Sequence, residues 1–220
     1  MSDTLRDNIP HTSARHGLLV WLTGLSGSGK TTLAQTLQAT WNTSHHPVML
    51  LDGDVLRRGL CADLGFSEQD RSENMRRVAH VAELFLQQGF LVLAAFISPL
   101  EQDRARVRQI IGASRMLEVY VSCSLQECER RDVKGLYRRA RAGEIPAFTG
   151  ISAPYEAPQS PDLILDTETQ NTASCVRQLH HTIQARLQIP PGPLEAVQDL
   201  SREDGGTTRG SAESRVRWNS

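Results

Sequence analysis

Leu18-Leu19-Val20-Trp21-Leu22-Thr23-Gly24-Leu25-Ser26-Gly27-Ser28-Gly29-Lys30-Thr31-Thr32 is the stretch that decides the fold. Its first five residues are continuously apolar and short, which reads as a buried strand. From Gly24 the composition switches to small residues. From Thr31 to Trp41 the residues Leu33, Leu37 and Trp41 share one helical face. Gly24 to Thr31 matches GxxxxGK[ST], in the strand–loop–helix setting that this pattern requires. Small residues let the backbone wrap phosphate oxygens closely, and successive N–H groups at a helix N-terminus form an anion nest. Lys30 reaches the β- and γ-phosphates as a compact charge, and the Thr31 hydroxyl can ligate Mg²⁺. Gly24, Gly27, Ser28, Gly29, Lys30, Thr31 and Thr32 therefore form a candidate set for a nucleoside triphosphate.

Outward from this stretch, apolar strands alternate with helices. Val48 to Leu51 reads as a second strand ending at Asp52-Gly53-Asp54, with a short helix from Val55 to about Cys61. Ser67-Glu68-Gln69-Asp70 is a capping box. It opens a helix to about Gln88 with Met75, Val78, Ala82 and Phe85 facing inward, and Gly89 stops it. Leu91 to Ile97 is a third strand, Leu100 to Ile111 a charged helix, and Met116 to Val121 a fourth strand. Ser122 to Asp132 is mostly helical and runs into a basic stretch, Lys134 to Arg141. Residues 142–161, rich in Gly, Pro and Ala, read as a long loop. Leu163 to Leu165 is a fifth strand and Thr169 to Leu187 the last helix. Strands apolar throughout indicate a parallel sheet covered on both faces, an α/β fold. Residues 1–16 read as a flexible leader, 17–187 as the folded domain and 188–220 as a disordered tail poor in large apolar groups.

Composition narrows the function classes. The chain has 220 residues with 24 basic and 25 acidic side chains, so no net field favours nucleic acid or a membrane surface. Of the basic residues 22 are arginine, and the only lysines are Lys30 and Lys134. No apolar run approaches the ~18 residues of a membrane span. The first 17 residues lack the apolar core of a signal peptide, which favours the cytoplasm. Cys61, Cys123, Cys128 and Cys175 form no CxxC pair and no zinc spacing, and read as buried thiols. His45-His46 and His180-His181 lack further ligands at metal spacing and read as surface or packing residues.

The phosphate-binding pattern alone does not separate kinases from GTPases or motor ATPases. No NKxD guanine motif is present, and the third strand carries no Asp and ends at Ser98-Pro99. Asp52 and Asp54 instead follow the second strand, as in small-molecule kinases of the nucleoside monophosphate kinase type. A carboxylate at that edge can hold Mg²⁺ or accept a proton from an attacking hydroxyl. The competing reading is a turn with a capping aspartate. Taken alone, Phe66 and Phe148 read as core residues, and Arg71, Arg76 and Arg77 as a solvated helix face.

Further motifs follow in series. They are Asp52-Gly53-Asp54 with Leu56-Arg57, Asp63-Leu64-Gly65-Phe66-Ser67, Asp70-Arg71, Glu73-Asn74, Arg76-Arg77 and Phe96-Ile97-Ser98-Pro99. Lys134-Gly135-Leu136-Tyr137, Arg141-Ala142-Gly143-Glu144-Ile145, Phe148-Thr149-Gly150-Ile151 and Pro154-Tyr155-Glu156-Ala157-Pro158 come after them. In this order and spacing, from about Gly17 to Leu187, the sequence resembles the adenylylsulfate kinase (APS kinase) family. The resemblance implies a P-loop NTPase fold, with a five-stranded parallel sheet of order 2-3-1-4-5 and helices on both faces. It implies that MgATP phosphorylates the ribose 3′-hydroxyl of adenosine 5′-phosphosulfate (APS) in sulfate assimilation. By the same resemblance, Arg57, Arg71 and Asn74 hold the phosphosulfate and ribose, and Phe66 and Phe148 clamp the adenine. Ile97 and Ser98 line the acceptor pocket, and Lys134 belongs to a lid over the phosphates. Lys30, Asp54 and Ser98 are the catalytic candidates, with Thr31 and Asp54 as the metal ligands. Ser98 matches a serine treated in the family as a phosphorylated intermediate. Direct transfer, with Asp54 as base or Mg²⁺ organiser, needs no such intermediate.

Arg76 and Arg77 are left without a role. Val55 departs from the asparagine that many members of the family carry after the two aspartates. A homodimer is implied by resemblance, as is functional coupling to a separate ATP sulfurylase, for which this chain shows no segment. Two other readings stay open: a P-loop kinase for another small hydroxyl acceptor, such as gluconate or a nucleoside, and a catalytically silent nucleotide-binding regulator.

Overall fold

The structure, a computed structural model, describes residues 17–41 and 47–189. Strand β1 (Leu18–Thr23) is buried along its whole length. Its alternate side chains feed two different cores. Leu18, Val20 and Leu22 pack with Leu33 and Leu37 of α1 (Lys30–Thr40) and with Val176, Leu179 and Ile183 of α7 (Thr172–Leu187). Leu19 and Trp21 pack with Met75, Val78 and Ala82 of α3 (Glu68–Gln87) and Val107 and Ile111 of α4 (Glu101–Ile111). Each such side chain contributes about 1.5–3 kcal/mol on burial, so a strand covered on both faces carries no polar alternation.

The remaining strands are β2 (Val48–Asp52), β3 (Leu91–Ala95), β4 (Met116–Ser122) and β5 (Leu163–Asp166). All pairings are parallel, in the order β2-β3-β1-β4-β5. This is the predicted sheet. At the centre, Trp21 lies level with Ala94 on one side and Glu118 on the other.

Several boundaries differ from expectation, each for a local reason. The helix after β2, α2 (Gly53–Leu56), is a single turn, and tight turns carry the chain to Asp63. Strand β3 stops at Ala95 rather than Ile97. The Ile97 carbonyl accepts from the side-chain hydroxyl of Thr23, at the end of β1, at 2.8 Å, while Gly24 N stays 3.5 Å away, and Ser98 turns the chain with φ +38°. The basic stretch contains a helix, α6 (Leu136–Arg141), behind α5 (Leu125–Arg131). The Asp132 carboxylate accepts from the N–H groups of Tyr137 and Arg138, satisfying α6's first turn. Helix α7 starts at Thr172, where the Asn171 side chain accepts from Ser174 N. The Ser67 box is real but varied: Asp70 N donates to the Ser67 hydroxyl, which itself donates to the Asp70 carboxylate at 2.7 Å.

Gln188 and Ile189 close α7, and Ile189 packs on the α1/α7 core. The expectations for the leader, for His45-His46 and for the tail from Pro190 lie outside the described residues. His180 is a packing residue, its ring 4.9 Å from that of Trp41. All four cysteines are buried and free.

Candidate active site

The carboxyl ends of β1, β2 and β3 meet at one edge, where an α/β sheet places its ligands. Residues Gly24–Gly29 leave β1 there and enter α1. Gly24 has φ +153°, and a Cβ on it would sit 2.5 Å from the Val121 carbonyl oxygen. Gly29, the N-cap of α1, is left-handed at φ +95°. These two positions need glycine for contact and for conformation respectively. Lys30 folds back over the loop, and its Nζ donates to the carbonyls of Gly24 (2.9 Å) and Leu25 (2.6 Å). Burial lowers its pKa from 10.5 to about 8, with Asp52 and Asp54 pulling the other way and Lys134 adding to the fall. Ser28 is buried and Thr32 exposed.

Thr31 Oγ1 donates to the carboxylate of Asp52 at 2.8 Å. Asp52 also caps α2 through Asp54 N. Sequence reasoning chose Asp54 from this acidic pair. Asp52 is the one that touches the phosphate loop, and its position as the last residue of β2 was the available signal. Asp54 instead pairs with Lys134, which arrives from the α5–α6 connection. Both groups are largely exposed. The α6 segment is tied to the phosphate loop through Tyr137, whose hydroxyl donates to the Ser26 carbonyl at 2.8 Å.

The other candidates gather beside this loop. Phe66 is largely exposed, with the Arg57 guanidinium 4.4 Å and that of Arg71 5.8 Å from its ring centre. Arg57 is held by the carbonyls of Leu64 and Gly65. Arg71 is held by the Phe66 and Ala147 carbonyls and the Thr149 hydroxyl, which joins α3 to the 147–149 segment. Burial and the nearby Arg57 lower the pKa of Arg71. Asn74 is buried, and its Oδ1 has no hydrogen-bond partner. Phe148 is buried in a satellite cluster with Cys123, Cys128, Tyr137 and Ala140, edge-on to Tyr137 at 5.1 Å. Burial pushes the Cys128 thiol up to about 12, so it stays neutral there.

Ile97 is half-buried, while Ser98 is only 2% exposed, and its hydroxyl accepts from the Trp21 indole N–H at 3.1 Å. Arg76 and Arg77 have structural partners. Both bind Glu73, and Arg77 also binds Asp63. These two arginines hold the Glu73 carboxyl at about 2. Among the described residues no helix is long and apolar enough to cross a membrane.

Comparison with known proteins agrees with this arrangement. A family model described as Adenylylsulphate kinase matches residues 16–166. The adenylyl-sulfate kinase of Acaryochloris marina is 46% identical over 190 residues, covering 86% of this chain and 93% of its own. That of Bacillus licheniformis is 53% identical over 161 residues, covering 73% and 82%. Among solved structures, the Mycobacterium tuberculosis APS kinase CysC, in complex with AMPPNP and APS, superposes with a TM-score of 0.74 at 45% identity. The match covers 77% of this chain and 98% of that one. With the phosphate loop, the sheet order and a sequence match over most of the described residues in agreement, the chain belongs to the adenylylsulphate kinase family.

Proposed function

We infer that the protein transfers the γ-phosphoryl group of ATP to the ribose 3′-hydroxyl of adenosine 5′-phosphosulfate. The products are 3′-phosphoadenosine 5′-phosphosulfate and ADP, in sulfate assimilation. The observation that carries this is the convergence on one sheet edge of an intact phosphate loop and the Arg57/Phe66/Arg71 cluster, in a chain of this family. Guanidinium forks suit the paired oxyanions of a phosphosulfate, and aromatic faces suit a base.

The loop N–H groups and Lys30 hold the β- and γ-phosphates, and the Lys30 charge offsets the negative charge of the transferring group. Thr31 and Asp52 present hard oxygen donors 2.8 Å apart. That donor set fits Mg²⁺, which takes one or two protein oxygens and fills its other positions with phosphates and water. Mg²⁺ supplies charge neutralisation to the phosphates when bound. Asp54 is the group for the acceptor hydroxyl: it can take the ribose proton as the new O–P bond forms. Lys134, paired with it, brings a second point charge over the phosphates and helps exclude water.

The burial of Ser98 and its bond from Trp21 support direct transfer over a phosphoserine route, since an in-line nucleophile needs access. Phe148, edge-on in its cluster, is proposed to border the adenine with Phe66 outermost. We place the enzyme in the cytoplasm. We propose a homodimer, and supply of APS by a separate ATP sulfurylase. A hexameric APS kinase from Thiobacillus denitrificans is 30% identical at a TM-score of 0.62, the match covering 81% of this chain and 31% of that one. The deciding experiment is ADP release with APS as acceptor, which should depend on both ATP and APS. Activity with a sugar acid and none with APS would transfer the reading to the rival kinase. ATP binding by calorimetry without turnover on any acceptor would make the protein a regulator.

A further inference from the structure

The 96–99 turn runs between the phosphate loop and the Asp52-Gly53-Asp54 edge. Gly24 N approaches the Ile97 carbonyl at 3.5 Å, and a Cβ on Gly53 would meet the Phe96 ring at 3.2 Å. Within it Ser98 holds φ +38°, a left-handed backbone that a serine adopts only at a cost. Such a conformation persists where its surroundings over-determine it. Here the donors come from several elements. Trp21 of β1 donates to the Ser98 hydroxyl, Thr23 to the Ile97 carbonyl, and Arg104 Nη1 to the Ser98 carbonyl at 2.8 Å.

Arg104 is 1% exposed, which is unusual for a guanidinium. Its Nε lies 3.0 Å from Glu118 of β4, itself buried, and its other terminal nitrogen pairs with Glu101. Glu118 is fixed in turn by Arg108 at 3.0 Å and lies level with Trp21 in the sheet. The preceding residue, Asp103, is also buried and accepts from the Ser72 hydroxyl at 2.6 Å. Ser72 stands between Arg71 and Asn74 on α3. One turn of α4 therefore braces both the 96–99 turn and the segment of α3 that carries the acceptor candidates.

We propose that Arg104, buried against Glu118, is a positioning residue for the APS acceptor, holding the Ile97-Ser98 turn in its left-handed conformation without touching either substrate. This rests on the reading of that edge as the acceptor side. A brace of this kind acts on one substrate: the phosphate loop takes its bonds from its own backbone, Lys30, Tyr137 and Thr167, whereas Arg104 bonds the Ser98 carbonyl of the turn.

The test is steady-state ADP release by the full chain, with each substrate varied at saturating levels of the other. Wild-type protein inactive with APS would overturn the functional reading itself, and the inference with it. Given an active wild type, R104M should raise the KM for APS by about tenfold or more and that for ATP by less than about twofold. R104K keeps a donor and a charge, and should return the APS KM to within about threefold of wild type. R104M leaves the buried Glu118 carboxylate with Arg108 as its remaining cationic partner, so R104M/E118Q tests the same split without that charge. An unchanged APS KM in R104M, or equal rises for both substrates, overturns the inference while leaving the function intact. Loss of ATP binding by calorimetry in both Met variants would assign Arg104 to the core and also overturn it.

Discussion

The two halves of the active edge are built by opposite means. The ATP half is local: eight consecutive residues form the loop, and Lys30 bonds carbonyls only five and six positions before it. The acceptor half is assembled from afar. Arg71 reaches residues 76 and 78 positions away, and Trp21 meets Ser98 across 77. The loop takes its shape from its own backbone and Lys30, with Tyr137 and Thr167 anchoring the Ser26 and Ser28 carbonyls from outside, so it tolerates change away from those anchors. A non-local site depends on helix positions, so it is sensitive to buried groups that never meet the substrate.

Lys30→Ala tests the local half most harshly. Turnover should fall about a thousandfold, with a thermal midpoint close to wild type, because removing a buried cation offsets the loss of its bonds. Near-normal turnover would break the assignment. Phe148→Ala tests the remote half. The APS KM should rise about tenfold and more than that for ATP, and stability should fall by about 3 kcal/mol, the low end for a buried Phe. Equal changes in both KM values would leave Phe148 a core residue only.

Raising pH separates the halves without mutation. Lys30 loses its proton near pH 8 in the folded free enzyme but near 10.5 unfolded. Between these values the unfolded chain holds more protons, so this group's contribution to stability rises with pH. Over the same window the loop loses its cation. The kcat/KM for ATP should therefore fall about tenfold by about pH 9, while stability does not fall with it; a flat profile to pH 10 would contradict the role. Smallest is Tyr137→Phe, which removes the link from α6 to Ser26. It should cost about 1 kcal/mol in a denaturation curve. No measurable change would uncouple α6 from the loop.

Legibility followed the same division. The phosphate loop and the five strands were readable because their signals are short-range: glycine at fixed offsets, continuous apolar runs, caps within a turn. The sheet order, a long-range property, came only through family resemblance. The acceptor cluster was visible only through family resemblance, since nothing in the spacing of Arg57, Phe66 and Arg71 reveals that two guanidinium groups flank one ring. Asp52 was passed over because two aspartates two residues apart look alike until β2 ends beneath one of them. Helix α6 was missed because a run of arginines masks the Asp132 carboxylate that caps it.

By itself, then, the sequence determined the fold class, the ATP loop and the family, and it marked the two lysines, Lys30 in the loop and Lys134 in the motif that resembles the family's lid. Only the tertiary structure decided that Ser98 faces the core, that Asp52 rather than Asp54 meets Thr31, and that a buried Arg104 holds the acceptor turn. Two of those facts join side chains 21 and 77 residues apart in the chain; the third, between residues six apart, depends on α4 being buried against Glu118 of β4. Packing sets such meetings, and no local periodicity encodes them.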